Sequence, residues 1–292
     1  MIPQLSMLLG SFFSKGKNLA RSEFSVLFTI YTLYLASHYM GWELIFLFFL
    51  KQGVGFTFLA LFYLVFSVTQ LVVLFIFKKL FLRESLVASF VLRMLMFGLA
   101  LFFFHNIQLI LIGILWGVML QLFWIPYYNG YYNYSGKGNT AQTIGKITII
   151  DTILKMIMPV LGGLIALVFG FRTLFIICIV LLGATAVFSW QHLDSHKAFR
   201  CSVRRSLRNF DKLQLVSFVE GLWQTIPFMI VPLATMLFIT DELGYGAFLS
   251  YLSILMIIGL RIMSRISDKL HNRELFLYPL AVVLSVVTII SG

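Results

Sequence analysis

Long apolar runs separated by short polar gaps make up most of the chain. A helix needs roughly 20 apolar residues to cross the hydrocarbon core of a bilayer. Nine runs meet this requirement, at about 24–50, 56–77, 86–104, 109–128, 146–169, 172–190, 213–239, 243–262 and 274–292. The alternation of apolar and polar residues typical of a barrel strand is absent, and lipid leaves no backbone group unpaired. The pattern therefore predicts an all-α polytopic membrane protein with about nine transmembrane helices.

Two of the polar gaps are longer than the others. Residues 127–146 are rich in Tyr, Asn and Gly and are predicted to form a cytoplasmic loop. Residues 191–212 are the most basic segment and separate six spans from three, so we interpret them as a cytoplasmic linker between membrane domains. The predicted domains are a six-helix half over 1–190 and a partial second half over 213–292. Because the last run ends at Gly292 without a polar tail, we expect a truncated sequence.

Basic residues are concentrated in every second gap. Of the 22 Lys and Arg residues, only Lys51 and Arg172 fall in the opposite gaps, and Arg93 and Lys155 lie inside apolar runs. By the positive-inside rule, this predicts a multi-pass cell-membrane protein with a cytoplasmic N-terminus. Charged residues make up 11% of the chain, against about 25% in soluble domains. The net charge of +11 is spread over short loops, which favours contact with anionic lipids over nucleic acid.

Asp151 and Lys155 are the strongest functional candidates, because ionisable residues are costly inside a membrane. They lie four residues apart in the fifth span and share one helix face. Lys155 is roughly 14 Å from the inner boundary, near the midplane. We expect this face to line a hydrated site for substrate or ions. The structural alternative is a self-neutralising pair that fixes the fifth span to a neighbouring helix.

Glu220 and Gln224 lie on one polar face of the seventh span, together with Ser217 and Gly221. A buried carboxyl without a cation favours its neutral form, so Glu220 is a candidate proton carrier. Its alternative is a neutral acid that is hydrogen-bonded to a neighbouring helix.

Glu43 lies in the outer part of the first span beside Trp42, and His38 lies one turn away from Trp42. Glu43 and Trp42 are predicted to shape the outer wall of a substrate site. Alternatively, Glu43 reaches the outer interface and Trp42 belongs to the aromatic belt. Gln121 in the fourth span is a further candidate for shaping the site. For Arg93 in the third span, snorkelling or a structural ion pair is the favoured interpretation.

Gly113 and Gly117 form a G-x-x-x-G pair in the fourth span and predict close helix packing. No motif of a soluble enzyme is present. The chain has no P-loop, so it encodes no ATP-driven pump, and it carries no cofactor signal. His192 and His196 have metal-compatible spacing, but they lack an evident third ligand, so no metal site is predicted.

Residues 264–273, with the sequence S-R-I-S-D-K-L-H-N-R, resemble the cytoplasmic loop signature G-x-x-x-D-R-x-G-R-R/K of the major facilitator superfamily. Asp268 matches the acid, Lys269 replaces the first Arg, and Arg273 matches the last basic position, whereas both glycines are replaced. The resemblance implies that this loop latches a cytoplasmic gate. The copy expected between the second and third spans keeps its basic charge but lacks the acid.

The fifth span contains M-P-V-L-G-G, which is similar to the superfamily's G-P-x-x-G-G motif and includes Pro159, Gly162 and Gly163. Proline bends the helix, and the two glycines allow a partner to pack closely. The order of six spans, basic linker and further spans also resembles the superfamily plan. The resemblance implies two six-helix halves of inverted three-helix repeats, of which this chain lacks the last three helices.

A secondary transporter is the function that the resemblance implies. It would move a small solute by alternating access, with protons as the expected coupling ion and Glu220 or Glu43 as the titrating group. The site would lie near the midplane between the halves. Its expected residues are Asp151, Lys155, Glu220, Glu43, Trp42, Gln121 and Gln224.

Two other classes of function stay open. One is a non-transporting scaffold or an inactive truncated relative, which the degenerate first latch and the missing spans favour. The other is a membrane-embedded enzyme acting on a lipid-linked substrate. An enzyme would need a cluster of acids or histidines near one interface, where only Asp241 and Glu242 form a pair.

Overall fold

The computed structural model describes residues 23–134, 140–193, 198–200 and 231–269, and most of this backbone is helical. The elements in chain order are α1 (Glu23–Ser37), a π-helical turn (His38–Trp42), α2 (Glu43–Lys51), α3 (Phe56–Ile76), β1 (Lys79–Phe81), α4 (Leu82–Leu101), α5 (Ile107–Tyr134), α6 (Thr140–His192), β2 (Ala198–Arg200), α7 (Val231–Met236) and α8 (Glu242–Lys269).

Six helices in the described ranges are long and apolar enough to cross a membrane. One of them, Gly145–His192, has 48 residues, so it is roughly 70 Å long, more than twice the hydrocarbon thickness of about 30 Å. It is interrupted at Gly170, whose φ of 83° is left-handed. Its two arms therefore correspond to the predicted fifth and sixth spans. The predicted span 274–292 and most of 213–239 lie outside the described residues, so the total of nine stays a prediction.

The first span lies at the centre of the bundle. It is continuous from α1 through the π turn to α2. Of its most apolar 18-residue segment, 78% is buried inside the bundle, whereas the figure for the corresponding segment of α3 is 28%. Helix α6 packs on this span, α4 packs on α5 and α6, α3 packs on α5, and α8 packs on α6. The outer faces carry exposed apolar side chains such as Leu64 and Leu71 of α3, as expected of a surface that contacts lipid.

Aromatic rings fill the centre of the bundle. Trp116 of α5 stacks on Phe66 and Phe62 of α3, with ring centroids 3.9 and 5.5 Å apart, and contacts Trp42 of the π turn at 4.5 Å. Lipid tails are as apolar as these rings, so helix association in a membrane depends on close packing more than on apolar burial. The stacked rings supply this packing between α3, α5 and the first span.

Gly117 brings α5 close to α3, as the G-x-x-x-G pair predicts. A Cβ on Gly117 would lie 2.8 Å from the carbonyl oxygen of Phe66. We expect Gly117→Ala to push the helices apart and to lower the free energy of unfolding by about 1–3 kcal/mol. Thermal unfolding in detergent measures this loss. Gly98→Ala is the matched control, because nothing lies within 4 Å of a Cβ there, and an equal loss in both variants would contradict the prediction.

The predicted loop 127–146 is wrong for most of its length. Helix α5 continues to Tyr134, and α6 begins at Thr140. Tyr127 and Tyr131 are buried on one face of α5, at the four-residue spacing that places side chains on one side of a helix. Burial of these rings extends the helix through a polar, Asn- and Gly-rich sequence that by itself favours turns.

A short antiparallel pair of strands accompanies the helices, and the candidate membrane spans in the described residues are helical, as predicted. Strand β1 follows α3, and β2 lies within the predicted linker 191–212, with Lys79 opposite Arg200 and Phe81 opposite Ala198. A strand of three residues is too short to show a period of two, so the sequence pattern did not reveal it. The pair ties the segment after α6 to the basic gap between α3 and α4.

Candidate functional site

The first span changes its hydrogen-bond pattern in the middle, at the π turn. Such turns are rare and frequently mark functional sites. Both arms of α6 approach this turn closely. A Cβ on Gly41 would lie 2.5 Å from Sγ of Cys178, and a Cβ on Gly162 would overlap the carbonyl oxygen of Met40. The turn therefore sits where α6 leaves no room for larger side chains.

Arg93 of α4 is fully buried against this turn, with 0% of its surface exposed. Its guanidinium donates hydrogen bonds to the hydroxyl of Tyr34 at 2.8 Å and to Nδ1 of His38 at 2.6 Å. It also lies 5.1 Å from the ring centre of Tyr34 and 5.0 Å from that of Trp42. The snorkelling interpretation is therefore wrong, and no carboxylate among the described side chains forms a direct ion pair with Arg93.

His38 links Arg93 to Glu43. An arginine has no acceptor, so Nδ1 of His38 must accept the hydrogen bond, and a neutral ring then carries its hydrogen on Nε2. That Nε2 lies 3.8 Å from Oε1 of Glu43, which is longer than a hydrogen bond. A shift of about 1 Å would complete a chain from Glu43 through His38 to Arg93.

Asp151 and Lys155 form the second charged group, on the first arm of α6. Nζ of Lys155 lies 2.8 Å from Oδ2 of Asp151. The hydroxyl of Tyr39, in the π turn, donates a 2.6 Å hydrogen bond to Oδ1 of the same carboxylate. Lys155 also lies 5.5 Å from the ring centre of Tyr39. Both side chains are partly exposed, Lys155 by 32% and Asp151 by 21%.

The π turn joins these two charged groups into one layer. The rings of His38 and Tyr39 are neighbours, with centroids 5.0 Å apart, and each binds a different charged partner. Two cations from α4 and α6 and two carboxylates from α2 and α6 thus surround one turn of the first span. We call Arg93, His38, Glu43, Asp151 and Lys155 the charged layer. When both carboxyl groups are ionised, the layer contains two positive and two negative groups.

A cavity of about 290 Å³ lies beside the charged layer. Asp151 contributes to its wall, together with Tyr31, Tyr127, Tyr128, Tyr131, Ile147 and Thr148. The rings of Phe24 and Tyr131 are 6.1 Å apart, so the cavity is at the end of the bundle where α1 begins and α5 ends. Asp151 is therefore shared by the charged layer and the cavity.

Comparison with known protein families identifies the class of this protein. The profile of the Major Facilitator Superfamily matches residues 19–292. The chain belongs to the major facilitator superfamily. No curated protein matched the chain. Membership implies secondary transport of a solute by a multi-pass membrane protein. The superfamily is not enzymatic, which rules against the alternative of a membrane-embedded enzyme.

The superfamily-like motif of α6 lies between two neighbouring helices. Gly162 faces the π turn, whereas a Cβ on Gly163 would lie 2.5 Å from the carbonyl oxygen of Glu242 at the start of α8. From the other side, a Cβ on Gly246 of α8 would overlap the carbonyl oxygen of Pro159. The motif thus lets the first arm of α6 contact the first span and α8 at the same depth.

The remaining predicted site residues are placed as follows. Trp42 is buried in the aromatic core beneath Arg93 and does not line the cavity. Gln121 is half-buried on α5, and no hydrogen bond between described residues joins it to the charged layer. Glu220, Gln224 and Arg273 lie outside the described residues, as do the side chains of Asp268 and Lys269 at the end of α8.

Sequence reasoning missed two sets of residues in this superfamily member. Tyr34 is the hydrogen-bond partner that allows Arg93 to stay buried, and a single tyrosine in an apolar run gives no signal of that role. The tyrosines of the cavity did leave a signal, because Tyr127 and Tyr131 are four residues apart and Tyr128 adjoins them. Treating this segment as a loop concealed the shared helix face.

Proposed function

We propose that this protein is a proton-coupled secondary transporter that moves a small solute by alternating access past the charged layer. The observation that carries the proposal is the meeting of Arg93, Glu43, Asp151 and Lys155 at one turn of the central span. Ionisable groups at this depth are costly and mark pathways for ions or solutes in membrane proteins. Asp151 and Lys155 hold the solute by exchanging partners with it, with Glu43 and Trp42 shaping the site from the first span.

The two ends of the bundle differ in a way that supports alternating access. The cavity lies at the end where α1 begins. At the other end, Nζ of Lys51 and Oε1 of Glu242 form an ion pair at 2.5 Å, and Gly163 packs against the backbone of Glu242. We propose that this pair closes the outer end while the cavity faces the cytoplasm, where the positive-inside rule predicts the N-terminus.

The two halves, the linker and the gate motif have roles in the same proposal. Residues 1–190 and 213–292 act as the two halves that rock against each other, with 191–212 as the cytoplasmic linker. Asp268, Lys269 and Arg273 latch the cytoplasmic gate between them. Gln121 and Gln224 contribute neutral hydrogen bonds to the solute.

Glu43 is the proposed proton carrier in the described residues, and Glu220 is the other candidate. When Glu43 is ionised it attracts Nε2 of His38. When it is protonated, that attraction ends, and the hydrogen bond between His38 and Arg93 changes with it. A proton on Glu43 would therefore alter the partners of a fully buried cation, which couples protonation to the arrangement of α2 and α4.

Reconstituted flux tests this function. Proteoliposomes containing a pH-sensitive dye, with an imposed proton gradient, are exposed to pools of amines, carboxylates, amino acids and sugars. We expect at least one pool to speed the collapse of the gradient. Glu43→Gln should abolish gradient-driven accumulation of that solute while its exchange between two equal pools persists, and Glu84→Gln, which removes an acid from the start of α4, should change neither.

Two results would count against the proposal. If no pool produces flux, the non-transporting scaffold becomes the better explanation. If Glu43→Gln still accumulates solute against its gradient, Glu43 is not the proton carrier, and Glu220→Gln becomes the decisive variant.

A further inference from the structure

We propose that the cavity lined by Tyr31, Tyr127, Tyr128, Tyr131 and Asp151 binds a small organic cation, either a protonated amine or a quaternary ammonium. This inference deepens the proposed function, because it assigns a chemical class to the transported solute. Nothing in the superfamily match specifies that class.

The lining has the composition of a cation site. Four of its seven residues are tyrosines, and the others are Asp151, Thr148 and Ile147. Aromatic rings attract cations through their negative faces, and aromatic cages are the usual means of holding quaternary ammonium groups. The four rings belong to two helices, α1 and α5, whose packing fixes their positions. The volume of about 290 Å³ is near the lower limit of small-molecule pockets, about 300–1,000 Å³, which restricts the ligand to a small cation.

Charge distinguishes a cation from an anion at this site. Asp151 is the one carboxyl group in the cavity lining within the described residues, and no Lys, Arg or His belongs to that lining. Lys155 and Arg93 do not line the cavity. A cation entering the cavity would meet the carboxylate of Asp151 in a lining that also contains four tyrosines, whereas an anion would meet the same negative charge.

One buried hydroxyl in the cavity wall has no hydrogen-bond partner among the described residues. Tyr127 is 1% exposed, lines the cavity, and its hydroxyl has no hydrogen-bond partner among the described residues. An unpaired buried hydroxyl costs about 1–3 kcal/mol. Because this oxygen is buried in the wall, Asp151, which is 21% exposed, supplies the acceptor for a ligand.

Lys155 competes with the ligand for Asp151. One carboxylate has about four lone-pair sites, of which Lys155 and Tyr39 use two. A ligand cation shares or replaces the contact with Lys155 and weakens that ion pair. This competition predicts opposite effects for the two members of the pair. Loss of Asp151 weakens cation binding, whereas loss of Lys155 leaves the carboxylate uncompensated and strengthens it.

Choline and its uncharged isostere 3,3-dimethylbutan-1-ol provide the test, by calorimetric titration of the full chain in lipid nanodiscs. We expect choline to bind at least tenfold more tightly than the isostere, a ratio equivalent to about 1.4 kcal/mol. Asp151→Asn should remove this preference, and Lys155→Met should tighten choline binding severalfold. Glu84→Gln, which neutralises an acid outside the cavity, is the matched control and should change neither affinity.

Tyr128 tests the role of the rings, because it is half exposed and its substitution leaves the core intact. Tyr128→Phe keeps the aromatic face and should bind choline within about twofold of the wild type, whereas Tyr128→Leu should bind about two- to fivefold more weakly. Equal affinity for choline and its isostere in the wild type would overturn the cation site, as would weaker choline binding in Lys155→Met.

The binding test separates this inference from the proposed function. It is an equilibrium measurement that needs no transport. If choline binds as expected but no solute pool produces flux, the cation site stands and the transport proposal falls. If the carboxylate or sugar pool produces flux while choline fails to bind, transport stands and the cation site is wrong.

Discussion

Arg93→Met is expected to abolish solute-driven proton flux while leaving the free energy of unfolding within about 2 kcal/mol of the wild type. Two effects on stability oppose each other. Removing a buried charge that has only neutral hydrogen-bond partners relieves a large desolvation cost. The loss of its donors leaves Tyr34 and His38 short of a partner, which costs about 1–3 kcal/mol. No opposing effect restores transport, because His38 and Glu43 lose the cation that orders them.

Two control variants make this result specific. Arg93→Lys keeps the charge but cannot hold Tyr34 and His38 with a planar guanidinium, so flux should fall at least tenfold. Arg83→Met removes an arginine from the start of the same helix, where it pairs with Glu84 at 3.2 Å, and should transport normally. Thermal unfolding and proteoliposome flux are measured on the same preparations. A severe loss of stability in Arg93→Met would assign Arg93 a structural role, and normal flux would remove it from the mechanism.

The sequence predicts the architecture well because a membrane restricts which backbone structures can cross it. Apolar runs of sufficient length predicted the helices that became α3 to α6 and α8, and Gly170 divides α6 between two predicted spans. The i,i+4 spacing of Asp151 and Lys155 and the G-x-x-x-G pair are local helix geometry, and both contacts are present in the structure. Each of these features depends on residues that are neighbours along one helix.

The rest of the site depends on contacts between helices, which no local pattern encodes. The partners of Arg93 are residues of α1 and the π turn, more than 50 positions away in the sequence. The π turn lies where Gly41 and Gly162 are in close contact with their neighbours, and its i→i+5 pattern brings His38 toward Glu43. The extension of α5 to Tyr134 results from burial of tyrosines whose own propensities favour a loop.

Asp151→Asn and Lys155→Ala are each expected to reduce flux at least tenfold, and the double variant Asp151→Asn/Lys155→Ala is expected to be no more active than either. The double variant distinguishes binding from structure. If the pair only neutralised itself to fix α6, removing both charges would eliminate the half-buried, unpaired group that harms each single variant, and activity would return. If the Asp151 carboxylate binds the solute, the double variant still lacks that carboxylate and its flux stays low.

The same variants give a different pattern in binding, which makes the two measurements informative together. Substituting Lys155 alone should strengthen the binding of a cationic ligand and yet slow its transport. Without the competing ammonium group, Asp151 holds the solute more firmly and releases it more slowly. Substituting Asp151 should weaken both binding and flux. Recovery of flux in the double variant would show that the solute never depended on this carboxylate. Faster flux in Lys155→Ala than in the wild type would instead show that Lys155 only obstructs the pathway and has no part in release.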